Sequence, residues 1–182
     1  RRCIADYLSR FCDNVSMDVI GNVIGTIGDG DKSIMLAGHY DQIGFMISYI
    51  DDDGHACFKQ VGGWDPRVIY GTRVKVWTGS GPTSFVTGTI GAQPPHLLER
   101  EDREKVVKME DMGIDFGASS RGDAEKLGVS PGCVATIDSP VERLGGADSD
   151  LVVGAGFDDT CSIVAFIKGL ELMGAEHLKK AK

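Results

Sequence analysis

The sequence predicts an α/β domain that is interrupted by a β-rich, barrel-like insertion. Three observations lead to this prediction. Apolar residues recur at helical spacing near both ends of the chain, residues 33–37 form a short apolar run, and residues 44–150 contain many short strand-like segments separated by turns. We therefore expect one α/β unit made of residues 1–43 and 151–182, with the insertion at residues 44–150 between its two parts.

The first α/β segment is predicted to contain a helix, a β-rich stretch and a buried strand. Apolar residues recur at helical spacing over residues 2–12 and predict a short amphipathic helix. Residues 17–27 have strand character. The run Ser-Ile-Met-Leu-Ala at residues 33–37 is typical of a strand buried on both faces of a parallel sheet.

The insertion is predicted to consist of hairpins that close into a small barrel or sandwich. The chain as a whole contains 25 glycines in 182 residues, which is consistent with many tight turns. The predicted strands cover residues 45–50, 55–61, 72–77, 84–90, 114–118 and 133–137, with a short helix near 123–127.

The last segment returns to helical spacing. Apolar residues at Ile163, Phe166, Ile167 and Leu170 mark the buried face of a helix over residues 160–173. A crossover helix packs on a sheet and leads into a parallel strand, and no strand pattern follows this helix. We therefore expect the α/β unit to be incomplete in this chain.

The composition argues against two classes of partner. A net charge of −8 and a pI near 4.9 leave the chain without the basic face that a nucleic acid or an anionic membrane requires. No window approaches the ~20 uninterrupted apolar residues of a membrane span. The five cysteines form no Cys-x-x-Cys pair, which favours reduced thiols and a cytoplasmic location.

The tripeptide His39-Tyr40-Asp41 follows the predicted strand 33–37, at the strand end where open α/β sheets bind ligands. Residues 39 and 41 point to the same side of an extended backbone, so Asp41 can orient the imidazole of His39. His39 is therefore a candidate metal ligand, with Asp41 as its supporting carboxylate. On these residues alone, an ordinary hydrogen-bonded histidine is the alternative.

Two acidic residues, Asp158 and Asp159, lie between a glycine-rich segment and the helix predicted to begin near Thr160. Asp159 is suited to cap this helix, because its carboxylate can accept hydrogen bonds from the free amides of the first turn. Asp158 is then free to bind a cation. Together with His39 it forms the second candidate ligand of a metal site.

Five segments of the chain resemble, in the same order, the di-metal aminopeptidases of the glutamyl and deblocking type. This family includes the tetrahedral TET peptidases, and its members are often described as endoglucanase or cellulase M. The segments are LAGHYDQIGFM from Leu36, VGG from Val61, IGAQPPHL from Ile90, GIDFGA from Gly113 and FDD from Phe157. The resemblance extends over essentially the whole chain.

The resemblance implies an α/β/α domain of the zinc-peptidase type, interrupted by an insertion that drives dimerisation. It also implies two divalent metal ions, zinc in the first place, with cobalt or manganese as alternatives. In such enzymes the histidine that matches His39 binds one ion and the aspartate that matches Asp158 bridges both. The carboxylate that matches Asp41 supports the histidine in the catalytic site, and the peptide bond between Asp158 and Asp159 is cis.

The chain departs from the family at some positions and lacks others. Tyr40 and Gln42 stand where methionine and glutamate are common, and Thr160 replaces a frequent arginine; we expect these to alter substrate preference or site electrostatics. In the family, a glutamate pair, a further acidic ligand and a second histidine come later, so the chain corresponds to about the N-terminal half. Because each ion needs about three donors, we expect this chain alone not to hydrolyse peptides.

The function implied by the resemblance is removal of N-terminal residues from peptides by a metal-activated water. The implied assembly is a dimer-based homo-oligomer, which in TET peptidases is a tetrahedral dodecamer. His96, after two prolines in the insertion, is a candidate pocket residue at a subunit contact, with a structural role as the alternative.

Two other functions remain open from the residues. One is a non-catalytic scaffold that keeps only the assembly domain. The other is a glycoside hydrolase, which requires two carboxylates about 5 to 9.5 Å apart across a sugar groove. The neighbouring Asp158 and Asp159 do not obviously supply this arrangement.

Overall fold

The computed structural model describes residues 1–79, 81 and 83–174, and the chain divides into two compact units. One unit contains residues 1–42 together with residues 156–174, and the other contains the described residues between 43 and 155. The sequence predicts these boundaries at residues 43/44 and 150/151. None of the helices within the described residues is long and apolar enough to cross a membrane.

The helices and strands are numbered here in chain order. They are α1 (Arg2–Leu8), β1 (Asn14–Met17), β2 (Val23–Thr26), β3 (Gly44–Ile50), β4 (Ala56–Val61), α2 (Pro66–Ile69), β5 (Arg73–Trp77), β6 (Phe85–Ala92), β7 (Met112–Asp115), α3 (Arg121–Lys126), β8 (Val134–Ile137), β9 (Glu142–Arg143), β10 (Val152–Val153) and α4 (Phe157–Met173). Short 3₁₀ turns span Pro95–Leu97 and Met109–Asp111.

The unit of residues 43–155 is built on a closed barrel of six strands in the order β3-β4-β7-β6-β5-β8. Every neighbouring pair is antiparallel. This closed sheet confirms the prediction of a barrel-like insertion. Closure leaves no unpaired strand edge in the sheet. A separate two-stranded ribbon pairs β9 with β10.

The barrel interior follows the two-residue period of its strands, with one irregularity on β3. Phe45 and Ile47 point inward and are buried. The register shifts between Ile47 and Tyr49, which inserts one extra residue, so that Ile50 is the next buried side chain and Tyr49 is exposed. The bulge therefore keeps the core apolar on both sides of the irregularity.

An aromatic cluster fills one part of this core. The ring of Phe45 stacks on Trp64 with centroids 4.9 Å apart and meets Phe58 edge to face at 4.9 Å. The indole N–H of Trp64 donates to the backbone carbonyl of Gly44 at 2.9 Å, so its polar atom is satisfied. The cluster joins β3, β4 and the segment before α2.

The other unit contains α1, the ribbon formed by β1 and β2, and α4. The helix predicted over residues 2–12 ends at Leu8, because the chain continues in hydrogen-bonded turns. In α4 the residues Asp158 and Asp159 have non-helical dihedral angles, so the regular helix begins at Thr160. This start agrees with the sequence-based expectation.

The prediction of a strand over residues 33–37 is wrong. Ile34, Met35 and Leu36 are 92%, 86% and 62% exposed, and the segment has no regular secondary structure. A strand needs a neighbour that exchanges backbone hydrogen bonds with it. Within the described residues none of the strands pairs with this segment, so it leads to His39 as an irregular, exposed stretch.

Helix α2 is capped by Asp65, whose carboxylate accepts from the backbone N–H and from Nε of Arg67, both at 2.9 Å. The hydrogen bonds from the Arg67 guanidinium are the main reason that the pKa of Asp65 is lowered to about 2. Since the pKa of an aspartate in the unfolded chain is about 3.9, the stabilisation from this cap is fully present above that pH. It is lost as the pH falls through about 2.

The substitution Arg67→Met is expected to raise the pKa of Asp65 towards its usual value, because the guanidinium donors disappear and only the backbone donor remains. An NMR titration of the Asp65 carboxyl carbon measures this change. Lys126→Met, which removes the ammonium partner of Asp123, is the matched control and should leave the Asp65 titration unchanged. An Asp65 pKa that stays near 2 in Arg67→Met would show that the guanidinium is not the cause.

Candidate metal centre

The structure brings His39 and Asp158 together, although they are distant in the sequence. Nε2 of His39 lies 3.2 Å from Oδ1 of Asp158. The two side chains are 55% and 97% exposed, so both can be reached by a ligand from solvent. These are the two residues that the sequence nominates as metal ligands.

The other ring nitrogen of His39 is held by Asp41. Nδ1 lies 3.1 Å from the backbone carbonyl of Asp41 and 3.4 Å from its carboxylate Oδ1. The carbonyl is thus the closer acceptor, whereas the sequence predicts the carboxylate in this role. Both acceptors can take a hydrogen bond from a protonated Nδ1, and in that tautomer the lone pair of Nε2 is directed to the side of Asp158.

The same contacts raise the pKa of His39 above its usual value. The hydrogen bond to the Asp41 carbonyl is the largest cause, and the negative charges of Asp41 and Asp158 act in the same direction. Because the protonated imidazole cannot bind a metal ion, protons compete with metal at this nitrogen. Metal affinity at His39 is therefore expected to rise with pH through the titration of the imidazole.

Asp159 connects the start of α4 to the segment that carries His39. The peptide bond between Asp158 and Asp159 is cis, which is the geometry that the resemblance implies. The hydroxyl of Ser162 donates a hydrogen bond to Oδ1 of Asp159. This bond is the main reason that the pKa of Asp159 is lowered, and the backbone N–H of His39 also stabilises the charged carboxylate.

Gly38 lies against one face of α4. A methyl group placed on Gly38 would come within 3.1 Å of Oδ2 of Asp159 and within 3.3 Å of both Ile163 and Phe166. These three residues follow one another at helical spacing and share a face of the helix. The absence of a side chain at residue 38 therefore allows the His39 segment to approach the start of α4 closely.

We predict that Gly38→Ala weakens zinc binding about tenfold, because α4 must move by a few tenths of an ångström and carries Asp158 with it. Isothermal titration of zinc into the two proteins measures the difference. Gly169→Ala is the matched control: it lies on the same helix, and its added methyl group meets nothing within 4 Å. Equal zinc affinities for Gly38→Ala and the unsubstituted chain would contradict the close-approach argument.

The pair formed by His39 and Asp158 fits a metal ion in its chemistry and its spacing. Imidazole nitrogen and carboxylate oxygen are both good zinc donors, and two ligands of one tetrahedral zinc ion lie about 3.4 Å apart. The observed 3.2 Å is a separation that one ion can bridge. Within the described residues, however, no group of three or more histidine, cysteine or acidic side chains converges on one point.

His96, the other candidate residue from the sequence, belongs to the barrel unit and is exposed on the turn Pro95–Leu97. Its role at a subunit contact stays a prediction. Two contributors to the site were not predicted from the sequence, namely Gly38 and Ser162. The spacing of Ser162, three residues after Asp159 on a predicted helix, is the signal that could have identified it.

Comparisons with known proteins agree on one family. The sequence profile described as M42 glutamyl aminopeptidase matches residues 21–181. The lysyl aminopeptidase of Pyrococcus furiosus is 30% identical over 178 residues, which make up 97% of this chain and 49% of the relative.

Solved structures give the same result. A TET aminopeptidase from a marine sediment archaeon of the Thaumarchaeota has a TM-score of 0.88 and 32% identity, covering 98% of this chain and 49% of that one. The TET1 peptidase of Pyrococcus horikoshii, which can assemble into a tetrahedron or a large octahedral shell, has a TM-score of 0.81 and 36% identity, covering 98% and 51%. The chain thus spans about half the length of the relatives it matches.

Proposed function

The chain belongs to the M42 glutamyl aminopeptidase family, and from this premise we propose that it supplies part of the two-metal site of an aminopeptidase. One observation carries the proposal: His39 presents Nε2 to the Asp158 carboxylate at 3.2 Å while Asp41 holds Nδ1. The proposed cofactors are two divalent metal ions. Zinc suits an imidazole and carboxylate donor set best, with cobalt or manganese as alternatives.

Each residue of the site has a distinct part in the proposal. His39 donates the lone pair of Nε2, and Asp41 keeps the imidazole in the tautomer that makes this lone pair available. Asp158 has one carboxylate oxygen on the side of His39, and its carboxylate would be shared by the two ions. When bound, the ions supply the Lewis acidity that activates a water for attack on the N-terminal peptide bond of the substrate.

We propose in addition that the 182-residue chain does not hydrolyse peptides by itself. The nominated ligands are one imidazole and one carboxylate, and within the described residues no group of three or more ligating side chains converges, whereas each ion of a two-metal site needs about three donors. Aminoacyl p-nitroanilides with added zinc, cobalt or manganese test this, with cello-oligosaccharides as the control substrate. Metal-dependent release of p-nitroaniline by the purified chain would contradict the donor argument.

The metal assignment is tested by NMR of the imidazole nitrogens during addition of zinc chloride. We expect zinc to shift Nε2 of His39 and to leave its Nδ1 with the shift of a protonated nitrogen. His55 is an internal control, because its Nδ1 also lies 3.3 Å from a carboxylate, that of Asp51, in a hairpin turn of the barrel unit. A zinc response at His55 equal to that of His39 would mean non-specific binding and would overturn the proposal.

We also propose that the barrel mediates self-association of the protein. The cross-strand pair Met46 and Val134 on the outer face of the barrel is 44% and 40% exposed, and nearby Val61 is 43% exposed. Exposed apolar residues on a sheet face are typical of an interface. The assembly reported for the Pyrococcus horikoshii peptidase supports this proposal. Light scattering should show a dimer or larger species, and Met46→Lys should reduce it to a monomer.

A further inference from the structure

The hydroxyl of Ser162, in the first turn of the regular part of α4, donates a hydrogen bond to the ligand-bearing end of the helix. Its acceptor is Oδ1 of Asp159, and Ser162 itself is half-buried. We propose that Ser162 is a positioning residue, which fixes the Asp159 carboxylate so that His39 and Asp158 face each other. This inference rests on the proposed function, in which these two residues hold metal.

Asp159 lies between two parts of the unit. Its Oδ1 accepts from Ser162, and its Oδ2 lies against Gly38, close enough that a methyl group there would be 3.1 Å away. The backbone N–H of His39 also stabilises its negative charge. The carboxylate of Asp159 therefore contacts α4 on one side and the segment of His39 on the other.

Asp158 and Asp159 are consecutive in the chain. A change in the backbone of Asp159 therefore also displaces Asp158. The same side chain thus influences both halves of the 3.2 Å contact between His39 and Asp158. Ser162 restricts the rotamer of Asp159 through a charge-assisted hydrogen bond, which is stronger than one between neutral groups.

Positioning of the Asp159 carboxylate by the Ser162 hydroxyl is distinct from capping of the helix by Asp159. A cap needs only that the Asp159 carboxylate accepts from amides of the first turn, and this role does not require the Ser162 hydroxyl. The hydroxyl binds Oδ1, while Oδ2 lies against Gly38, the residue before His39. Loss of the hydroxyl is therefore expected to disturb His39 more than it disturbs the helix.

The test compares Ser162→Ala with Ser162→Thr, which retains a hydroxyl at the same place. In the metal-free protein, Ser162→Ala should shift the amide and imidazole resonances of His39 and speed the hydrogen exchange of its amide. Zinc affinity should fall about tenfold, the size expected for an outer partner of a ligand. Ser162→Thr should restore both, and the helical circular dichroism should be the same in all three proteins.

Ser9→Ala is the matched control, because it removes a hydroxyl that donates to the carbonyl of Asp6 in α1 of the same unit. It should leave the resonances of His39 unchanged. The inference is overturned if His39 resonances in Ser162→Ala coincide with those of the unsubstituted chain. It is also overturned if Ser162→Thr, with the same helical circular dichroism, does not restore the His39 resonances.

Failure of the proposed function has a different signature. Zinc would then move no His39 resonance in the unsubstituted chain, while the comparison of metal-free proteins would still decide whether Ser162 positions His39.

Discussion

Replacement of His39 by alanine is expected to weaken zinc binding by the chain at least about 100-fold. Loss of an outer partner of a ligand already costs about 10- to 100-fold in metal affinity, and His39 is the only imidazole at the centre within the described residues. Of the two nominated ligands, only Asp158 would remain there. Isothermal titration of zinc into the metal-free protein measures this loss.

Two further variants make the result specific. Asp158→Asn keeps the size of the side chain and removes its charge, so it should reduce zinc affinity strongly as well. His55→Ala removes a histidine that pairs with Asp51 in the barrel unit, and zinc affinity should be unchanged. If His39→Ala binds zinc within twofold of the unsubstituted chain, the metal site lies elsewhere.

The second large effect is expected in the barrel, where Phe45→Ala should lower the free energy of unfolding by about 3 to 5 kcal/mol. Phe45 is 0% exposed and packs on both Phe58 and Trp64, so its truncation leaves a cavity and removes two aromatic contacts. The two tryptophans of the chain, Trp64 and Trp77, both belong to the barrel unit. Urea unfolding followed by tryptophan fluorescence therefore reports on this unit.

The matched control is Phe85→Ala, which removes the same atoms from a side chain that is 40% exposed. Its ring meets Trp77 edge to face at 5.4 Å, and loss of that contact should cost about 1 kcal/mol. Equal losses in Phe45→Ala and Phe85→Ala would contradict the assignment of Phe45 to the buried core.

The barrel could be predicted from the sequence because its signals are local. Alternating apolar residues and glycine-containing turns define each hairpin within about 20 residues. The predicted strand at residues 45–50, for example, corresponds to β3 (Gly44–Ile50). Its bulge at Ser48 was not predicted, since a bulge depends on the register with the neighbouring strand.

The incorrect strand prediction at residues 33–37 shows what local apolar patterns cannot predict. Its apolar run indicates burial, yet a parallel strand exists only beside other strands, and the segment has none within the described residues. The exposure of Ile34, Met35 and Leu36 follows directly from that lack of neighbours. Composition alone cannot reveal whether the neighbours are present.

The candidate site could be predicted only in part, because some of its residues are defined by contacts that form on folding. His39 and Asp158 stand out because metal chemistry restricts the residue types that can serve as ligands. Gly38 and Ser162 carry no such restriction, and their roles arise from contacts with Asp159 that exist only in the folded unit. The closer contact of His39 with the Asp41 carbonyl than with its carboxylate is likewise a property of the local backbone.

The most direct test of the central claim is anomalous diffraction at the zinc absorption edge from crystals of the protein grown with zinc. We predict an anomalous peak within bonding distance of both Nε2 of His39 and a carboxylate oxygen of Asp158, at about 2.0 to 2.2 Å from each. Data collected below the edge should lose the peak, which identifies the element. Zinc bound at other residues, with His39 and Asp158 bare in the same crystal, would contradict the account.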